Sequence, residues 1–428
     1  MAWFELRGSA VSAAMVALAL LATAGCGGQA DEVFGAAQAA ARVDNPFAGV
    51  SGYVNPEWRA HALAESGGDR VANTPTAIWL DRIGAVTGAS RGTSLRQHLD
   101  NALAQAAGYI ELVLYDLPSR NCLDLASDGE LGPTELSRYQ SEFVDPIAVV
   151  EGDSKYASLR IVNVIEPYAL SYLVSNLAET TCATVAQSGA DVKGIQYALG
   201  KLGAIRNVYN YVDISSHLRL GWTDNLRPGA ALIAQTVLGA PGGASTVAGF
   251  VSNVAQYAAT VEPYFQASTM VNGISVRQSK WVVWADYVDE QSFVIAMRSE
   301  LIARGMSDTV GMLIDTSRNG WGGASRPTHA STSTNLDTFV DESRVDRRLY
   351  PENACNQSGA GLGERPKAVG ANGIHAYAWI KPPGESDGSS NPHDAFADPM
   401  CDPNGAGLRN SGLTAQTGAL AYAPAKGA

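Results

Sequence analysis

Apolar, β-rich runs recur along this chain, each followed by a polar loop and then by a stretch with helical spacing. Tyr109–Tyr115 (YIELVLY), Leu159–Ile165 (LRIVNVI), Val208–Val212 (VYNYV), Val310–Ile314 (VGMLI) and Ala376–Ile380 (AYAWI) read as strands. Ser94–Ala107 and Asp191–Leu202 read as helices between them. Alternation of this kind predicts an α/β fold with a parallel sheet, open or closed. From Asn45 onward there is no Ser/Pro linker and no repeat, so the pattern predicts one domain over residues 45–428.

Four of the runs end on acids: Asp116, Glu166, Asp213 and Asp315. Polar groups at the C-terminal ends of parallel strands are where α/β folds place their sites, so a carboxylate-lined cleft is expected. Gly88-Ala-Ser-Arg-Gly92 fits the nucleophile-elbow pattern, but it follows a helical stretch in a chain with 44 glycines and reads as a chance match. Gly359-Ala-Gly-Leu-Gly363 lacks dinucleotide spacing and reads as a loop that lets backbone approach a ligand.

Charge and cysteine usage narrow the class. With 42 acidic and 30 basic side chains the net charge is -12, the reverse of a phosphate-binding surface, so nucleic acid is excluded as a partner. Charged residues make up only 17% of the chain. The run Val11–Ala22 is too short to span a membrane and has the length of a signal h-region, so residues 1–25 read as an export signal. Thr23-Ala24-Gly25-Cys26 resembles a bacterial lipobox, which makes Cys26 a candidate for lipidation and residues 26–44 a tether. A lipid on Cys26 would be the protein's only membrane contact, and the expected location is secreted or cell-surface. Removing Cys26 leaves Cys122, Cys182, Cys355 and Cys401, an even number consistent with two disulfides in any of three pairings. No CxxC or histidine spacing supports a metal, and no cofactor is expected.

Several longer stretches carry a family likeness. They are Gly52-Tyr-Val-Asn-Pro-Glu-Trp58, Ala77-Ile-Trp-Leu-Asp-Arg82, Tyr115-Asp-Leu-Pro118, Ile314-Asp-Thr-Ser-Arg-Asn-Gly-Trp-Gly-Gly323, Gly359–Pro366 and Lys381-Pro-Pro-Gly-Glu-Ser-Asp-Gly388. In these the chain resembles glycoside hydrolase family 6, and within it the bacterial exo-acting, cellobiohydrolase-like branch. The resemblance implies a distorted (β/α) barrel of about seven parallel strands, with a cleft or tunnel for β-1,4-glucan at the strand C-terminal ends. It also implies disulfides Cys122–Cys182 and Cys355–Cys401, each bracing a site loop. The chemistry expected of the family is inverting hydrolysis by a carboxylic acid and a second carboxylate that activates water.

Matched residue by residue, this sequence departs from that chemistry. The family's acid falls on Tyr168, in Glu166-Pro-Tyr168-Ala-Leu170, and a phenol of pKa about 10 is a poor proton donor to a glycosidic oxygen. Its helper aspartate falls on Asn121. Asp387 matches the proposed base, Lys381 and Glu385 match sugar-binding positions, and Tyr115 matches a tyrosine that presses on the sugar at the cleavage point. Asp213 and Trp222 also match, whereas Ser216, Arg219, Gln256 and Ala354 replace a histidine, a stacking tryptophan, an asparagine and a second tryptophan. The chain ends at Ala428, where family members continue into a further helix. The expectation is an exported β-glucan-binding relative with impaired or lost catalysis. The alternatives are an active glucanase that recruits Asp116, Asp124 or Asp128, and an interaction scaffold without carbohydrate function.

Overall fold

Every predicted run becomes a strand, with ends that move by one or two residues. A computed structural model describes residues 42–385 except 90–91, 121, 123–128, 352, 354 and 358, all within one unit, Ala37–Ala428. In chain order the strands are β1 (Ile78–Leu80), β2 (Tyr109–Leu114), β3 (Arg160–Ile165), β4 (Val208–Asp213) and β5 (Gly249–Ser252). Then come a small hairpin, β6 (Met270–Val271) with β7 (Ile274–Ser275), and finally β8 (Gly311–Asp315), β9 (Lys367–Ala371) and β10 (Ile374–Ala378). The main sheet runs β1-β2-β3-β4-β5-β8-β10-β9. Its first seven strands are parallel, and β9 alone pairs antiparallel, on β10. The sheet curls until Ala77, entering β1, donates its N–H to the Trp379 carbonyl leaving β10 at 3.1 Å. This is the distorted barrel that the resemblance implies, closed by single bonds rather than a ladder.

Alternation along the strands separates two cores. Ile110, Leu112 and Leu114 of β2 pack outward with helix residues such as Leu99, Ile195 and Leu199. Tyr109, Val113 and Tyr115 point inward with Val162, Tyr211, Val251, Leu313 and Ala376. The predicted helices appear as Leu95–Ala104 and Ala190–Leu202. Ser94 and Gln97 close the first with a reciprocal capping box, which stops its N-terminal N–H groups from going unpaired. Unpredicted β1, β5 and β9 are short, and β5 begins on a glycine. Gly311 in β8 has no room for a side chain, because a Cβ there would strike the His375 ring that β10 turns inward at its bulge.

A disulfide joins Cys122, in the loop after β2, to the buried Cys182 of the helix Thr180–Ser188, across a sequence separation of 60. Cys355 is disulfide-bonded as well, and its expected partner Cys401 lies outside the described residues. Chain-entropy arguments give a loop of that length about 4 kcal/mol. Cys182→Ser should therefore lower the unfolding free energy by about that amount and move the denaturant midpoint down accordingly, and reductant should then shift the variant less than the parent. Equal midpoints for variant and parent would mean that the loop is held by its packing alone.

Candidate functional site

The strand-end acids do not line a cleft side by side. Asp116, two residues after outward-facing Leu114, continues into the outer, helix-facing layer, whereas Glu166 follows outward-facing Ile165 and, with φ 46°, meets the Tyr139 hydroxyl of that layer at 2.9 Å. Asp213 and Asp315 follow inward-facing Tyr211 and Leu313 and close the top of the barrel interior. Three of the four carboxylates tie down loops from neighbouring strands. Glu166 accepts the N–H of Asp116 and Leu117 at 3.2 and 3.3 Å. Asp213 accepts those of Tyr168 and Ser215 at 2.9 and 2.8 Å. Asp315 accepts four, from Ala255 and Ser317 at 2.8 and 2.9 Å and from Ile380 and Lys381 at 3.3 and 3.2 Å.

These ties hold a strained rim. Ser119, Glu166, Tyr168, Ser215, Asn253, Ala255 and Trp321 all follow strands and all have left-handed φ, between 41° and 69°. Each such residue costs about 1–2 kcal/mol. The carboxylates hold the N–H groups of Tyr168, Ser215 and Ala255, and backbone carbonyls hold those of Ser119, Glu166, Asn253 and Trp321.

Tyr168 sits at the centre of the rim, 9% exposed, with φ 69°. Its ring stacks on Tyr172 with centroids 6.0 Å apart, and the Arg219 guanidinium lies 4.6 Å from the far ring of that pair. The Tyr168 hydroxyl donates to the Val254 carbonyl beyond β5, and the Gln256 amide reaches it at 3.5 Å. Burial raises this phenol well above its ordinary pKa. Tyr168 is thus a strut across the top of β4, with its proton committed to a backbone carbonyl.

Tyr115 shares the inner core with Tyr168, and three further predicted residues lie on other parts of the loops. Tyr115 meets Trp79 edge-on at 5.6 Å, and Lys381 lies over the Trp79 ring at 4.7 Å. The Trp79 indole donates to the Ile380 carbonyl at 2.9 Å, so β1 and the loop after β10 share one aromatic seat. Arg120 supports Tyr115 from below, 4.4 Å from its ring and bonded to the carbonyls of Tyr115 and Asp81. Glu385 is half-buried, and its carbonyl accepts from Arg318 at 2.7 Å. Trp222 stands further along the rim, with its indole N–H donated to the Val283 carbonyl at 2.8 Å. Asn121, Ala354, Asp387 and Cys26 lie outside the described residues, as do Asp124 and Asp128.

Burial sets the protonation of the acids. Asp213 is pushed up to about 7, chiefly by desolvation, and its Oδ2 meets no hydrogen-bond donor among the described residues. Asp116 is pushed up to about 9 by burial and by Glu166, with Arg120 at 3.8 Å pulling the other way. Being fully buried on the helix side, Asp116 is not placed to serve as a recruited acid.

Other sequence signals resolve as structure. The glycine loop brings Gly363 against Thr316 and Asn319, so the close approach it permits is to the loop after β8. Ser252, Glu290 and His217 are joined, but the carboxylate lies between the hydroxyl and the imidazole, so no nucleophile–base pair exists. Trp79 stands in a motif and Arg120 in none of those named, and only the fold reveals that Trp79 seats Tyr115 and Lys381 and that Arg120 lies against Tyr115. Among the described residues no His/Cys/Asp/Glu group is arranged to hold a metal.

Comparison with known proteins gives a consistent answer. The model of Glycosyl hydrolases family 6 matches residues 49–412. Exoglucanase A of Cellulomonas fimi is 44% identical over 395 residues, covering 86% of this chain and 45% of its own. This chain thus spans less than half the length of that relative. The catalytic domain of C. fimi Cel6B superimposes with a TM-score of 0.83 at 42% identity, covering 90% of this chain and 92% of that one. Cellobiohydrolase II (Cel6A) of Humicola insolens, in complex with glucose and cellotetraose, superimposes with a TM-score of 0.66 at 25% identity, covering 88% and 95%.

Proposed function

The chain belongs to glycosyl hydrolase family 6, and on that premise we propose that it binds β-1,4-glucan in its strand-end cleft while having lost most of the family's hydrolytic power. The observation that carries the reading is Tyr168. It stands where the acid is expected, its hydroxyl is bonded to the Val254 carbonyl, and burial raises its pKa further. A group so held does not deliver a proton to a leaving oxygen. Asn121 in place of the helper aspartate removes the other half of the acid machinery.

The binding side of the cleft keeps more of its chemistry. Tyr115 on its Trp79 seat, Lys381, Glu385 and Trp222 supply the ring faces and polar groups that a glucan chain needs, with Asp387 as the matched base. The mature protein in this reading is an exported domain, residues 45–428, joined by the tether 26–44 to a lipid on Cys26. The cellotetraose-bound relative supports a cello-oligosaccharide ligand.

Sugar release from amorphous cellulose and mixed-linkage glucan, with binding recorded in the same tubes, tests this directly. Expected is binding, with release about 10²–10⁴-fold below that of a hydrolytic relative. Release at the relative's rate would sink the reading. One observation favours a second reading in that event: Asp213 faces inward with its carboxyl near 7, the property of a substitute acid. Asp213→Asn would then abolish the release.

A further inference from the structure

Among the described residues the most exposed tryptophan side chain is Trp284, at 57%. Its neighbours Val282 and Ala285 are buried in a small core with Phe265, Val271 and Val276. Trp284 and Val283 turn away from that core, and Val283 is itself 45% exposed. They do so through two successive left-handed residues, with φ 48° and 66°. A β-branched valine in that region is a true outlier, and such strain persists only where the surroundings impose it.

Here they do. Arg277 donates to the carbonyls of Trp284 and Ala285 at 2.7 and 3.0 Å and is anchored by Asp286 at 2.6 Å. The Trp284 N–H returns a bond to the Arg277 carbonyl at 2.6 Å. Trp222 completes the clamp by bonding the Val283 carbonyl. Every polar group in the clamp holds backbone, and the outcome is an indole set out in solvent. Among the described residues Trp284 has no aromatic or cation–π partner, whereas Trp281, three positions earlier, is covered by the Arg344 guanidinium at 4.0 Å.

We propose that Trp284 is a stacking platform for pyranose rings, carrying the glucan path outward from Trp222. The inference rests on the glucan-binding reading above. An indole face matches the apolar C–H face of one β-linked sugar ring. The Trp222 indole is bonded to the Val283 carbonyl, one residue before Trp284, which sets the platform beside Trp222. The preferred ligand is accordingly a long chain, one that reaches past the rim.

Titration of the full chain with cellohexaose and with cellotriose, read by tryptophan fluorescence, tests it. Trp284→Ala should weaken cellohexaose binding about tenfold and leave cellotriose unchanged, with Trp284→Phe close to the parent. An unchanged thermal midpoint checks that the variant is folded. If Trp284→Ala binds cellohexaose like the parent while Trp222→Ala loses affinity, the platform is overturned and the glucan reading stands. If the parent binds neither sugar, both fall.

Discussion

Tyr168→Asp combined with Asn121→Asp should raise cellulose hydrolysis by about 10²–10⁴-fold, the ordinary worth of a positioned general acid. Backbone geometry favours the attempt. Position 168 has φ 69°, which aspartate tolerates better than most side chains, and its N–H is already bonded to Asp213. A carboxyl there, beside the inward-facing Asp213 whose own proton is held to about pH 7, stands in the environment that keeps an acid protonated. Asn121→Asp alone should give nothing, because it adds no proton donor at the cleavage point. Reducing-sugar assays on the single and double variants separate the cases. A folded, glucan-binding double variant without gained activity would mean that the lost acid pair is not the only defect.

The second large effect is on stability, which should fall as pH rises. Burial pushes Glu111, Glu151, Glu166 and Glu262 up to about 8 and Asp116 to about 9. Asp191 and Asp213 rise to about 7. In the unfolded chain these groups lose their protons near pH 4. Between about pH 4.5 and 8 the native state therefore holds protons that the unfolded state has released. Each such group removes about 1.4 kcal/mol of stability per pH unit gained. His98 and His375, lowered by burial to about 4, act in the opposite direction, but only below about pH 6.5. The carboxyls outnumber them throughout, so the thermal midpoint should fall steadily from pH 5 to pH 8. Glu111 offers the clean check, since neither of its oxygens meets a donor among the described residues. Glu111→Gln should flatten the profile by one proton's worth. A midpoint that climbs from pH 5 to pH 8 would refute the assignment.

Much of this molecule can be read from its sequence. Long apolar runs identified five of the seven parallel strands, because a strand buried on both faces cannot hide its composition. The short strands β1 and β5 escaped, since three or four residues carry no period to detect. Family motifs pointed to Tyr168, Lys381 and Trp222, and the structure shows what each side chain touches. What one-dimensional reading misjudged was the use of the strand-end acids. Position alone made Asp116, Glu166, Asp213 and Asp315 look equivalent, whereas alternation sends Asp116 outward, a left-handed backbone carries Glu166 to Tyr139, and three of the four spend their oxygens on neighbouring loops. The display of Trp284 was equally hidden, because it depends on backbone angles that nothing in the local sequence announces.

The bond from Tyr168 to Val254 also bears on the history open to this lineage. A tyrosine that merely replaced an aspartate could revert at no loss. This one joins two strained loops, and removing its hydroxyl leaves a buried carbonyl unpaired, at about 1–3 kcal/mol. Reversion must cross that deficit before a second change, at Asn121, returns any rate. Selection acting one substitution at a time meets a barrier in that direction and none in the other. On the proposed reading the strut works as an evolutionary ratchet, making a departure from catalysis easier to enter than to leave.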